Sequence, residues 1–178
     1  MTDSLYLDTD CISSFLWVKE ERLLTSLYSG KIKIPQQVYN ELSYPGTPQL
    51  KARVDVLINN GDAVIEHILT DTPEFGLYSK LTTSPEKGHG IIGKGEAAVI
   101  ALASTSGGIV ASNNLKDIAA YASELELQHV TTGDILIKAL EAALITEYEG
   151  NVIWSAMLAK RRKLGAVSFS DYISTHTK

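Results

Sequence analysis

This chain has only one cysteine, no long apolar run and no excess of positive charge. Its single cysteine, Cys11, cannot form an internal disulfide, and its neighbours Ile12, Phe15 and Leu16 favour a small, buried, unreactive side chain. No run of roughly 18 apolar residues occurs, and the beginning of the chain lacks the basic and apolar pattern of a signal peptide. We therefore expect a cytoplasmic protein without a membrane partner.

Basic residues are fewer than acidic ones. The 178 residues include 16 Lys and Arg against 21 Asp and Glu, which gives a net charge of −5. This balance excludes a broadly basic surface, so local patches must carry any binding to nucleic acid. The four histidines show no zinc-ligand spacing. With 44% hydrophobic residues the chain can bury a sizeable core, and we predict one domain, 1–178.

Strand and helix patterns alternate along the chain. Short apolar runs predict strands at 4–7, 32–34, 63–69, 108–111 and 129–131. Helical spacing predicts helices at 9–17, 19–28, from 35 past 41, and at 48–60, 96–103, 115–123, 133–144 and 147–164. Residues 70–94 are predicted to be a long loop with one helical turn near Tyr78. Strands separated by helices imply parallel pairing with right-handed crossovers.

Acidic residues stand where strands end or where adjoining helices reach the same edge. Asp8 follows the first strand, Asp117 lies early in the helix after a later strand, and Glu41 and Glu96 lie on helices that can overhang that edge. Ligands of open α/β sheets bind outside the carboxyl ends of the strands. Carboxylate oxygens suit Mg²⁺ or Mn²⁺, and these ions support hydrolysis of phosphodiester bonds.

Four segments, in order, resemble the PIN domain family of metal-dependent ribonucleases, which includes the VapC-like toxins. They are Leu5-Tyr6-Leu7-Asp8-Thr9-Asp10, Ile34-Pro35 with Val38 and Glu41, Gly95-Glu96-Ala97-Ala98, and Ser112-Asn113-Asn114-Leu115-Lys116-Asp117. Asp10 stands where the family usually has Asn. Family members often carry a second acid where this chain has Asn113 or Asn114, which leaves Asp117 as the fourth carboxylate.

The resemblance implies a three-layer α/β/α fold with a mainly parallel sheet. The core would span about 1–144, and a helical extension would follow at about 145–178. The implied activity is an Mg²⁺- or Mn²⁺-dependent endoribonuclease that leaves 5′-phosphate and 3′-hydroxyl ends. RNA would be the substrate, a protein antitoxin the partner and a homodimer the assembly. The resemblance assigns metal binding and catalysis to Asp8, Glu41, Glu96 and Asp117, with Thr9, Asp10, Asn113 and Asn114 in support.

Cations next to the proposed ligands are the expected RNA contacts. Lys94 and Lys116 adjoin Glu96 and Asp117 in sequence, so we predict that both bind substrate phosphates. The dense basic run at 160–163 is interpreted as the favourable placement of cations near a helix C-terminus, with no established path to the pocket, and a contact with the RNA backbone is the alternative.

Other interpretations of the same residues stay open. Asp8 alone would serve as an ordinary helix cap. The segment 88–95 has the glycine and lysine spacing of a phosphate-binding loop, but Gly95 replaces the hydroxyl residue that binds Mg²⁺. A degenerate PIN module that binds RNA or a protein without cutting is the main alternative to a nuclease.

Overall fold

A parallel sheet forms the centre of the computed structural model, which describes residues 3–85 and 87–176. The predicted domain limits at 1 and 178 therefore lie outside the described residues. The described strands are β1 (Leu5–Leu7), β2 (Ile32–Pro35), β3 (Ala63–Glu66), β4 (Ile109–Ala111) and β5 (Gln128–Val130). Buried side chains of β1, such as Leu5 and Leu7, place this strand in the hydrophobic core.

Helices connect the strands and cover the sheet. The described helices are α1 (Thr9–Val18), α2 (Glu21–Leu27), α3 (Gln36–Leu42), α4 (Pro48–Asn59), α5 (Pro73–Thr83), α6 (Lys94–Ser106), α7 (Leu115–Glu124), α8 (Thr132–Glu141), α9 (Glu147–Ala159) and α10 (Phe169–His176). Within the described part of the chain, none of these helices is both long enough and apolar enough to cross a membrane.

The strand order is β3-β2-β1-β4-β5, and every pairing between these strands is parallel. The chain therefore moves outward from β1 to β3 and then returns to the other side of β1 with β4. Helix α6 packs against β1, β2 and β4. The predicted three-layer α/β/α fold is confirmed, and the order creates a switch point between β1 and β4, where ligands of such sheets bind.

Helix α5 is a correction to the sequence analysis. The prediction of a long loop over 70–94 was wrong for 73–83, where the chain forms a helix. Its start follows an ordinary rule, because Thr72 Oγ1 accepts a hydrogen bond from Phe75 N at 3.3 Å and Pro73 occupies the first turn. The helix lacked a clear apolar periodicity because Leu81 is its only fully buried residue.

Helix α9 ends five residues before the predicted limit of 164, at Ala159. Arg161 adopts a left-handed conformation with φ of 59°. Its N–H donates to Leu158 O at 2.8 Å, and Arg162 N–H donates to Met157 O at 3.1 Å. This pair of bonds is the Schellman arrangement that closes helices and reverses the chain. The basic run is therefore a turn rather than the last turn of a helix.

Helix α10, which the sequence analysis missed, packs onto α8 and α9. Its Phe169 is fully buried, and the ring centroid lies 5.9 Å from that of Trp154 on α9. Tyr172 lies 5.2 Å from the same indole. These aromatic contacts hold α10 against α9.

Candidate active site

Acidic side chains from three elements line one cavity of about 260 Å³ at the switch point. The cavity is lined by Asp8, Thr9, Asp10, Glu41, Gly93, Gly95 and Glu96. Asp8 follows β1, Glu41 lies on α3, and Glu96 lies in the first turn of α6. The structure thus brings three of the four predicted carboxylates to a shared cavity. Asp117 lines an adjacent cavity of about 280 Å³ instead.

Asp8 is the buried member of the group. Its side chain is 1% exposed and caps α1, because Oδ1 accepts a hydrogen bond from Cys11 N at 2.7 Å. Its Oδ2 is buried without a hydrogen-bond partner among the described residues. Burial raises the pKa of Asp8 to about 7, the Ser112 side chain and the Cys11 N–H partly oppose this effect, and the nearby charges of Asp10 and Glu96 add to it. The capping role and a role in the cavity therefore coexist in one carboxylate, through different oxygens.

Two donors hold Glu41 in place. Thr9 Oγ1 donates to Glu41 Oε2, and the backbone N–H of Gly95 donates to Oε1 at 3.1 Å. Thr9, which we predict to support the site, thus has Glu41 as its side-chain partner. A Cβ atom at Gly95 would lie 2.8 Å from Glu41 Oε2 and 3.1 Å from Thr9 Oγ1. Gly95 therefore permits a close approach that no other residue type allows.

Replacing Gly95 with Ala is expected to displace the Glu41 carboxylate and reduce any activity of the site by about tenfold to a hundredfold. The fold is expected to survive, because the displaced atoms are the flexible end of Glu41 and a hydroxyl. Gly76→Ala in α5 is the matched control, since a Cβ there meets nothing within 4 Å. Equal activity of the two variants in a cleavage assay would show that the position of Glu41 is unimportant.

Asn114 joins Glu96 to Asp117. Its Nδ2 donates to Glu96 Oε1 and to Asp117 Oδ2, each at 2.8 Å. Burial raises the pKa of Glu96, and the charges of Asp117 and Glu41 act in the same direction. Asp117 therefore belongs to the same electrostatic cluster although it lines the neighbouring cavity. Asn114, which we predict to support the site, forms an amide bridge between two carboxylates.

Asp10 receives contacts from two directions that the sequence analysis did not foresee. Asn113 Nδ2 lies 3.1 Å from Asp10 Oδ2, and Arg162 Nη1 lies 3.3 Å from Asp10 Oδ1. The same guanidinium nitrogen lies 3.3 Å from Ser13 Oγ. The sequence offered no path from the basic run to the pocket, whereas the structure supplies one, because the turn after α9 directs Arg162 back to α1. No local pattern in the sequence reveals this contact, which spans 152 positions.

The two lysines predicted to bind substrate have different surroundings. Lys94 is exposed as the first residue of α6. Lys116 is exposed on α7 and lines the 280 Å³ cavity together with Asp117 and His89. His89 Nε2 lies 2.8 Å from Glu124 Oε1 and its ring contacts Tyr121, so the glycine-rich segment is attached to α7. The roles of Lys94 and Lys116 toward substrate stay predictions.

The donor chemistry of the cluster fits a hard divalent cation. The pKa values of Asp8 and Glu96 are raised, and Asp8 Oδ2 has no hydrogen-bond partner. A bound cation would offset the cost of ionising these carboxyl groups. Across residues 3–85 and 87–176, however, no three His, Cys, Asp or Glu side chains are already gathered closely enough to hold a metal ion. Glu41, Glu96 and Asp117 each have one oxygen engaged in a hydrogen bond with a neighbouring amide.

A PIN-domain family model, DUF3368, matches residues 5–171. The chain belongs to the PIN domain family. This assignment confirms the resemblance inferred from the four short segments, and the matched region includes α9 and the first three residues of α10 of this PIN domain. No curated protein matches the chain.

The fold of this PIN domain is also found in a solved structure. It is similar to a chain of the crystal structure of DNA-bound VapBC from Salmonella typhimurium, with a TM-score of 0.53 and 15% sequence identity. The alignment covers 74% of this PIN domain and 99% of the VapBC chain. At this identity the similarity establishes the shared fold.

Proposed function

We propose that this PIN domain is a metal-dependent endoribonuclease that hydrolyses RNA phosphodiester bonds. The observation that carries the proposal is the convergence of Asp8, Glu41 and Glu96 on one cavity at the β1/β4 switch point. Asp117 joins this group through the amide of Asn114. A cluster of carboxylates at this position suits chemistry on a phosphate only if cations first neutralise the charge of the cavity.

Asp8, Glu41, Glu96 and Asp117 are the residues that would hold Mg²⁺ or Mn²⁺. Such an ion, when bound, supplies the Lewis acidity that activates water and stabilises negative charge on the phosphate. Asp8 offers its unpartnered Oδ2 without losing its cap to Cys11. Thr9 and Gly95 orient Glu41, and the Asn114 amide orients Glu96 and Asp117.

Cations around the cavity are proposed to hold the RNA backbone. The sequence favoured Lys94 and Lys116, and the structure adds Arg162, whose guanidinium lies at the rim beside Asp10. The planar guanidinium of Arg suits the oxygens of a phosphate. We infer that Arg162 contacts the phosphate backbone next to the scissile bond, while Asp10 and Ser13 fix its position.

A cleavage assay on a single-stranded RNA tests the proposal. With millimolar Mn²⁺ or Mg²⁺ we expect endonucleolytic cuts whose products carry a 5′-phosphate, and EDTA should stop the reaction. Glu96→Gln should reduce the rate by at least about a hundredfold, because it removes a ligand charge at nearly constant volume. A purified protein that binds RNA but leaves it intact with either ion would contradict the nuclease assignment.

That outcome would support the alternative, a catalytically inactive PIN module that binds RNA or a protein partner. One observation favours it: the amide of Asn114, which carries no charge, already satisfies oxygens of both Glu96 and Asp117.

Under either function, a protein antitoxin is the partner that we propose, because a chain of DNA-bound VapBC shares the fold. A homodimer is the assembly that we propose for the PIN domain.

A further inference from the structure

A third cavity, of about 360 Å³, lies beside the candidate active site. We call it the C-terminal cavity, because Lys163, Tyr172 and His176 of the C-terminal region form part of its lining. Asn113 joins it to the active site, since this residue lines the C-terminal cavity while its Nδ2 donates to Asp10 at 3.1 Å. The volume of the cavity falls in the range of small-molecule sites, which starts at about 300 Å³.

Flat aromatic surface forms one part of the lining. The rings of Tyr172 and His176 are stacked, with centroids 3.8 Å apart and planes inclined by 12°. Tyr172 is held in turn, because its hydroxyl lies 2.9 Å from Asp134 Oδ1 and 2.7 Å from Thr131 Oγ1. His176 is exposed, so a rigid and buried tyrosine supports an accessible ring. Such platforms suit the stacking of a nucleobase.

A hydrogen-bond acceptor and a cation complete the lining. His129 Nε2 lies 2.9 Å from Ser112 O. A carbonyl oxygen only accepts, so Nε2 carries the hydrogen and Nδ1 of the neutral ring is an acceptor. Lys163 supplies a positive charge. It directly follows Arg162, so consecutive cations of one turn serve the C-terminal cavity and the active site.

We propose that the C-terminal cavity binds the base of the nucleotide that adjoins the scissile phosphate. The inference rests on the proposed function, because a strand that crosses both cavities must place its scissile bond over the carboxylates. The base stacks on His176 and donates to His129 Nδ1, and Lys163 binds the phosphate attached to that nucleotide. The acceptor favours a base with an exocyclic amino group, such as adenine.

Titration of the full-length protein with AMP, monitored by calorimetry without divalent ions, tests the cavity separately from hydrolysis. AMP contains no phosphodiester bond, so its binding does not depend on catalysis. Ribose 5-phosphate reports the contribution of the phosphate and sugar alone. We expect AMP to bind at least about tenfold more tightly than ribose 5-phosphate, since stacking of one base accounts for a factor of this size or more.

Variants locate the binding. His176→Ala should remove the advantage of AMP over ribose 5-phosphate, and Lys163→Gln should weaken both ligands by about tenfold. Lys160→Gln is the matched control, because it removes the same charge from the same turn while its Nζ lies 5.3 Å from the Trp17 ring centroid. Lys160→Gln should leave both affinities unchanged.

Two results would overturn the inference. One is equal affinity of the unaltered protein for AMP and ribose 5-phosphate, and the other is unchanged AMP binding by His176→Ala. Either result is compatible with RNA cleavage, so it would reject the proposal for the C-terminal cavity and leave the nuclease proposal intact. Conversely, the protein could bind AMP through His176 and yet cut no RNA. That result would support the cavity as a nucleotide site and reject the nuclease proposal.

Discussion

Replacing Asp8 with Asn is expected to abolish metal-dependent RNA cleavage and, in the absence of metal, to stabilise the fold at neutral and alkaline pH. The loss of activity should be at least about a hundredfold, because the change removes the charge of the most buried carboxylate of the cavity. Asn retains the side-chain oxygen that caps α1 through Cys11 N, so the helix should begin at the same residue.

The gain in stability follows from the raised pKa of Asp8. The carboxyl pKa is 3.8 in the unfolded chain and about 7 in the folded protein, so the folded state retains the proton between these values. The free energy of unfolding therefore falls as the pH rises from about 4 to about 7, by up to about 4 kcal/mol. The Asn variant lacks this loss. Its amide nitrogen takes the place of the buried Oδ2, which has no hydrogen-bond partner, and an unsatisfied donor there offsets part of the gain. We expect a net gain of about 1 to 3 kcal/mol at pH 8.

Chemical denaturation of both proteins in EDTA at pH 4.5 and pH 8 measures the effect. The two free energies of unfolding should be similar at the lower pH and diverge at the higher one. Asp71→Asn is the matched control, because Asp71 is exposed and its left-handed φ of 63° is well tolerated by Asn. A folded Asp8→Asn protein that cuts RNA at the normal rate would remove Asp8 from the proposed site.

Much of the site was predictable because it depends on local rules. Asp8 comes after an apolar strand and begins a helix, so both its burial and its cap follow from adjacent residues. The ends of β1 and β4 meet because parallel strands share an edge, although only the structure shows that these two strands are neighbours. The convergence of Asp8 with Glu41 and Glu96 then depends on the packing of α3 against α6.

The contacts that the sequence could not predict are the distant ones. The hydrogen bond from Gly95 N to Glu41 crosses 54 positions, and the contact of Arg162 with Asp10 depends on where α9 ends. That end requires a left-handed conformation at Arg161, a position where Gly is the usual indicator. Helical spacing and charge together suggested that the basic run ends a helix. The turn instead uses one cation to contact the acidic cavity.

Divalent ions are expected to stabilise the fold at neutral pH and to lose this effect in acid. Burial and mutual repulsion raise the pKa values of Asp8 and Glu96. An ion that binds the folded state lowers the repulsion between these carboxylates and so stabilises the fold. At a concentration of about a hundred times Kd, linkage gives about 2.7 kcal/mol. For a chain of this size, that corresponds to an increase in Tm of roughly 5 to 10 °C.

Protons compete with the ion for the same oxygens. Below its folded pKa of about 7, Asp8 must release a proton before it can bind a cation, so apparent affinity falls by about tenfold for each pH unit. We therefore expect Mn²⁺ to raise Tm at pH 7.5 and to have almost no effect at pH 5. Asp8→Asn should show little shift at either pH, whereas Asp71→Asn should behave like the unaltered protein. If millimolar Mn²⁺ left Tm unchanged at pH 7.5, the four carboxylates would not form a metal site, and the inactive binding module would become the better description of this PIN domain.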